Sequence, residues 1–276
     1  MPYKHENLDF GSVKYEINKE ELIENNENIK LALDLELNPV GIKFIYTEEE
    51  YLNLKEEEIK GKMAYCQMVK RATRNHIFKM KYENNVCDGA TTALGLEKSN
   101  KRIETGEEYY SYNLYETKAA ARRMRSNIKS FSNYENQETF GILIGDLDKF
   151  DLYPDLVIII TNPYQAMRLV QGYEYHSGIK PDINMGAMQA LCSELTVVPM
   201  MTGSMNVSMF CPSTRMLCKW DDSQMGVAIP FEKYYKTIEG VFGTMATTDS
   251  KDKKLDIIAR FKEKGKNINL NPDIGY

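Results

Sequence analysis

The chemistry on offer in this sequence rests on five cysteines, four of which fall into two matching pairs. Cys66 and Cys87 stand 21 positions apart, and Cys192 and Cys211 stand 19 apart. Each pair begins in a small-residue apolar segment ("MAYCQMVKRAT", "INMGAMQALCSELTV") and crosses an alternating stretch ("HIFKMKY", "SMNVSMF"). Each ends at a cysteine that opens a new segment. Such repetition reads as an internal duplication, and duplicated units packed about a pseudo-twofold axis bring equivalent positions together. Thiolates gathered in this way form a soft donor set that suits zinc, copper(I) or an iron–sulfur cluster. Cys87 precedes Asp88-Gly89 and Cys211 precedes Pro212, so amides at a helix start can face either sulfur and lower its pKa. The expected metal ligands are Cys66, Cys87, Cys192 and Cys211, with Gly89 and Arg215 beside the bound group.

A plainer reading competes with this one. Free cysteine is among the most buried residue types and packs like a small hydrophobe, and the C-x-x-C pairs of zinc ribbons are absent. Cys218 aligns with Leu94 when the two halves are overlaid, and so reads as core. "CPSTR" has too few residues between Cys211 and Arg215 for a phosphatase loop, which excludes that activity. His5, His76 and His176 fall in the floppy start, an alternating strand and a loop, and none reads as catalytic. Tyr109, Tyr110, Tyr173 and Tyr175 lie in aromatic-rich turns that can line a pocket. Met200, Met201, Met205 and Met209 read as adaptable core filler. Glu194, two residues after Cys192, reads either as an acceptor or proton donor near that thiol or as a solvent-facing side chain. No Walker loop, Rossmann glycine pattern or Ser-His-Asp elbow is present.

The elements that must position the cysteines are legible from periodicity. "PVGIKFIY" (39–46) is a strand, and "TEEEYLNLKEEE" begins a surface helix with Thr47 as cap. In 63–73, Tyr65, Met68, Val69 and Ala72 recur at helical spacing. "YPDLVIIIT" (153–161) does not alternate and must be buried on both faces. Asn162 caps the following helix, with Pro163 at its first position. "PMMTGSMNVSMF" reads as a strand pair or bulged strand, and "IPFEKYYKTIEGVFGTM" as an amphipathic helix. The predicted organisation is a flexible acidic segment at 1–29, half-repeats at 30–145 and 146–250, and a polar tail at 251–276. The expected fold is α/β or α+β, made of two similar strand–helix–hairpin–helix halves packed as one unit.

Bulk properties narrow the partners. With 276 residues, 42% apolar and 27% charged, the chain has the composition of a globular protein with a full core. A net charge of −5 argues against nucleic acid, which needs a concentrated basic face. The basic run "KAAARRMRSNIK" (118–129) reads as a helix with one cationic side, either solvated or a docking face. No run is long enough to span a bilayer and no signal sequence is evident, so a cytoplasmic protein is expected. In a reducing compartment these cysteines favour metals, nucleophilic thiols or packing over disulfides.

The ordered set "NPVGIKF", "YCQMVKRA", "VCDGATTALGL", "PDLVIIITNPYQAMRLVQGYEYHSG", "ALCSE" and "FCPSTR" resembles an archaeal cysteine-rich family, domain of unknown function 169. The resemblance covers about residues 30 to 245 and implies a setting in low-potential anaerobic metabolism rather than an activity. It implies that Cys66, Cys87, Cys192 and Cys211 match the family's recurrent cysteines, and Arg215 a recurrent arginine. Gly89 keeps the first of two recurrent glycines, and Ser213 replaces the second. The leading expectation is an iron–sulfur protein, most simply with one 4Fe–4S cluster, acting in electron transfer or in reductive chemistry on a small molecule. The alternatives are a metal-free small-molecule-binding protein with packed or reactive cysteines, and an accessory subunit docking a redox partner protein.

Overall fold

A computed structural model of the chain describes residues 17–132 and 137–275. α1 (Lys19–Leu33) begins at Asn18, whose side chain accepts from the Glu21 amide, and ends at Asp34 in the left-handed conformation. The segment read as flexible (1–29) is therefore helical from Lys19 onward, and its first 16 residues lie outside the described part. The buried Leu22, Asn26, Ile29 and Leu33 follow helical spacing, which fixes the helix against the sheet.

β1 (Val40–Ile45) leads to α2 (Glu48–Asn53), where Thr47 and Glu50 form a capping box. Next come α3 (Tyr65–Ala72), β2 (Ile77–Lys81), α4 (Asp88–Ala93), α5 (Lys101–Glu104), α6 (Glu107–Ser111) and α7 (Lys118–Asn127). β3 (Gly141–Asp146) and β4 (Leu156–Thr161) precede α8 (Pro163–Glu174), with the expected Asn162 cap and Pro163 at its first position. A π-helical stretch, Ala190–Val197, runs directly into α9 (Val198–Thr202). Only β5 (Asn206–Ser208) is extended in the region read as a strand pair, so 198–202 is a correction: Pro199 starts a helical turn that Gly203 ends in the left-handed region. α10 (Pro212–Cys218), β6 (Met225–Pro230), α11 (Phe231–Thr248) and α12 (Lys251–Glu263) complete the chain. The region read as a polar tail thus carries α12, which buries Ile257 and Phe261.

The fold is mixed α+β. Six strands pair throughout antiparallel in the order β2-β3-β1-β4-β6-β5. β4 is buried along its full length, as its unbroken apolar run requires, because helices cover both faces of the sheet. Alternation divides its side chains between two cores. Val157 and Ile159 join Val227 and Ile229 beneath α1, α8, α11 and α12. Leu156, Ile158 and Ile160 join Ile42, Phe44, Ile142 and Ile144 on the opposite face, under α3, α4 and the π-helix. That second face carries the cysteines. No helix among the described residues is long and apolar enough to cross a membrane.

Candidate metal centre

The cysteines are delivered by four short elements. Cys66 lies in the first turn of α3, Cys87 immediately precedes α4, Cys192 lies in the first turn of the π-helix, and Cys211 immediately precedes α10. Cys192, Cys211 and Cys218 belong to one apolar core, and Cys66 packs against it. Cys87 reaches solvent, and no disulfide links any of the five. The approach to the second pair is strained: Gln189 (φ 51°) and Phe210 (φ 67°) hold the left-handed conformation just before Ala190 and Cys211. For a ring as bulky as Phe210 this costs on the order of 1–3 kcal/mol, a level of strain that concentrates at functional sites.

Thr214 holds the Cys211 thiol in place. Its amide donates to Cys211 Sγ at 3.4 Å, and that thiol donates to Thr214 Oγ1 at 3.2 Å. The Thr214 side chain also contributes to lowering the Cys66 pKa. One helical turn later lies Cys218, whose proximity lowers the Cys66 pKa while Cys66 and burial raise that of Cys218. The amides of Cys66 and Gln67 add to the lowering. Asn85 joins the first pair: its side-chain oxygen accepts from the Tyr65 amide at 3.2 Å, and its Nδ2 donates to the Cys87 carbonyl at 3.1 Å.

The cysteines also influence one another's thiols. Desolvation pushes the Cys87 thiol up, and the charges of Cys66 and Cys211 push it further. The Ala90 and Gly89 amides act against that rise, although Cys87 makes no formed capping hydrogen bond. Burial raises Cys192 well above the ordinary range, and Cys87, Cys211 and Cys66 each add to the effect. Mutual influence of this kind falls off with distance. Cys87 and Cys192 thus lie within electrostatic reach of Cys66 and Cys211, and Cys218, which the sequence had marked only as core, is buried in the same apolar cluster as Cys192 and Cys211.

The remaining expected residues take different places. A Cβ on Gly89 would stand 2.7 Å from Gln189 Nε2 and 3.4 Å from the Tyr109 hydroxyl, so that glycine makes room for a side-chain pair beside Cys87. Gln189 donates to the Tyr109 hydroxyl, and its own Oε1 is buried without a partner. Neither Gln189 nor Thr214 was visible as a site residue in the sequence, where an isolated Gln or Thr carries no pattern. The Arg215 guanidinium donates to the carbonyls of Asp221, Met209 and Gln224, and so braces the loop behind α10. Glu194 is buried, accepting from the Gly186 amide at 2.6 Å and from the Ser208 hydroxyl. It fixes the 186–194 connection rather than facing solvent.

The donor set bears on which guest suits the site. Among the described residues, no group of three or more His, Cys, Asp or Glu side chains is arranged to hold a single metal ion. Thiolates on one zinc, with Zn–S bonds of about 2.3 Å, crowd to within about 4 Å of one another. An iron–sulfur cluster places its own iron and sulfide atoms between the thiolates, and so takes a wider set held by amides and apolar walls.

Comparison with known proteins sets the relationship. The family described as DUF169, uncharacterised ArCR, matches residues 28–240. The chain belongs to this family. The DUF169 match spans every strand of the sheet and all five cysteines. An uncharacterized protein of Methanocaldococcus jannaschii is 24% identical over 228 residues, covering 80% of this chain and 94% of that protein. No solved structure matches the chain.

Proposed function

We propose that this chain is a redox protein of anaerobic metabolism that binds an iron–sulfur cluster, most simply one 4Fe–4S cluster on Cys66, Cys87, Cys192 and Cys211. The feature that carries the reading is that Cys87 and Cys192, from distant stretches of chain, each lie within electrostatic reach of Cys66 and Cys211. They come from four elements on one sheet face. Such a cluster supplies one-electron chemistry whose potential is set by burial and by hydrogen bonds to sulfur. The protein's own part is positioning and charge. Cys218 and Thr214 lower the Cys66 pKa, whereas burial raises those of Cys87 and Cys192, whose protons a bound guest would displace. Tyr109 and Gln189 stand on the Cys87 side, where a small substrate or a partner's donor group would approach.

The two-half organisation is part of this proposal, and strand order supports it. Outward from the sheet centre run β1, β3 and β2 on one side, and β4, β6 and β5 on the other. Each half places one cysteine before its outermost strand and one after it.

Anaerobic purification or reconstitution tests the reading. It predicts a brown protein absorbing near about 400 nm, with iron and acid-labile sulfide in matching amounts. Cys87→Ser should abolish bound iron while the protein stays folded. A colourless, iron-free product whose thiols all titrate would overturn the reading and favour a metal-free pocket.

A further inference from the structure

A cleft of about 490 Å³ opens where the C-terminal end of α3 meets the C-terminal end of α10. Lys70, Arg71 and Arg74 line one side and Lys219 the other, with Gln67, His76, Leu217 and Cys218 between them. The chain carries 40 carboxylates against 35 Lys and Arg, yet no carboxylate lines this volume. Among the described residues, none of the four cations has an acidic partner within ion-pair distance.

Helix ends account for only part of this arrangement. Cations are favoured at helix C-termini, where carbonyls lack partners, and Lys70 follows that rule by donating to the Cys218 carbonyl over the Trp220 ring. Arg71 lies 5.9 Å from the Phe78 ring centroid, and no hydrogen bond to a helix-end carbonyl engages Arg71, Arg74 or Lys219 among the described residues. Their like charges also repel: Arg74 and Lys219 both weaken proton binding at Lys70, whose pKa is lowered chiefly by desolvation. Like charges converging on one concave volume relax when an anion enters.

We infer that this cleft binds a small molecule bearing two or more phosphate groups. The volume suits a ligand of nucleotide size. Guanidinium forks match phosphate oxygens, and cations on two opposed walls favour an extended polyanion over a single carboxylate. A concave site also suits a small ligand better than a flat acidic protein face does. The inference stands on the cleft alone and is independent of whether the cysteines hold a cluster.

Calorimetric titration of the full-length protein with inorganic pyrophosphate, and separately with a nucleoside triphosphate, tests it. Both should bind at one site, more weakly as salt rises. The double variant Arg74→Gln/Lys219→Gln should weaken binding by about tenfold or more, with the thermal transition unchanged. The control Arg122→Gln/Arg123→Gln, on the exposed face of α7, should leave affinity as it was. No binding of either phosphate compound would overturn the inference. So would equal weakening by the α7 control, or tighter binding of polyglutamate than of pyrophosphate; the last result would mark the cleft as a dock for acidic proteins.

Discussion

Cys218 lowers the Cys66 pKa, and Cys66 raises that of Cys218. Cys218 lies one turn past Thr214 on the same face of α10, so both can influence the Cys66 thiol. A hydrogen bond to a charged group contributes about 1.5–3 kcal/mol, enough to change thiolate population by about tenfold or more. Cys218→Ala should therefore slow alkylation of Cys66 at neutral pH by about tenfold in iron-free protein, read by peptide mapping, while iron binding to the other thiols persists. An unchanged rate would mean that backbone amides alone set the Cys66 charge. Cys87 and Cys192 make the opposite prediction in pH. Their folded pKa values lie above the unfolded cysteine value of about 8.5. The stability this contributes is complete below about pH 8.5 and is lost as pH rises through the folded values. Iron-free protein should thus show a thermal midpoint that falls above about pH 8.5, whereas cluster loading, which must release those protons, should improve over the same rise. At this scale the sequence was a good guide to cysteine spacing and a poor one to hydrogen-bond partners. Cys218 is buried, as its apolar neighbours implied, yet nothing in "TRMLC" announces its influence on Cys66.

The elements show why some of the local structure was legible. Thr47 and Asn162 cap α2 and α8 through short-range hydrogen bonds that depend only on residues three positions away, and such signals survive any tertiary setting. The stripe of Tyr65, Met68, Val69 and Ala72 likewise reports one buried face. The stretch from Ala190 to Ser208 resisted because its conformation depends on groups far along the chain. Glu194 gathers the Gly186 amide and the Ser208 hydroxyl, and its backbone carbonyl accepts from Asn206 Nδ2 at 2.7 Å. A buried carboxylate of this kind is recognised only once the fold has closed around it. Glu194→Ala should leave the Gly186 amide and the Ser208 hydroxyl without that acceptor and cost about 1–3 kcal/mol in chemical denaturation. It should also loosen the connection that carries Cys192, so hydrogen exchange across 186–194 should accelerate more than exchange in β4. Equal protection in both segments would show that the π-helix holds itself.

At the scale of the whole molecule, the sheet separates two tasks. One face is closed by α1, α8, α11 and α12 over an ordinary apolar core. The other is roofed by short helices, and there Cys192, Cys211 and Cys218 share an apolar core against which Cys66 packs. A guest bound by all four proposed ligands therefore cross-links distant stretches of chain in the native state and is absent from the unfolded one. Ligand binding of this kind stabilises by about 4 kcal/mol when the free guest exceeds its dissociation constant a thousandfold. For a domain of this size each kcal/mol moves the thermal midpoint by about 2–4 °C. Anaerobic reconstitution with iron and sulfide should accordingly raise the midpoint by about 8 °C or more. Cys87→Ser or Cys192→Ser should each erase the gain completely rather than halve it, because a cluster lacking one anchor no longer couples both stretches. Asn162→Ala, on the opposite face, should lower the midpoint of loaded and unloaded protein alike by the cost of one helix cap, about 1 kcal/mol. If the two cysteine variants instead subtracted separate, additive fractions of the gain, the thiols would be acting as independent packing groups, and the convergence on this face would have no common occupant.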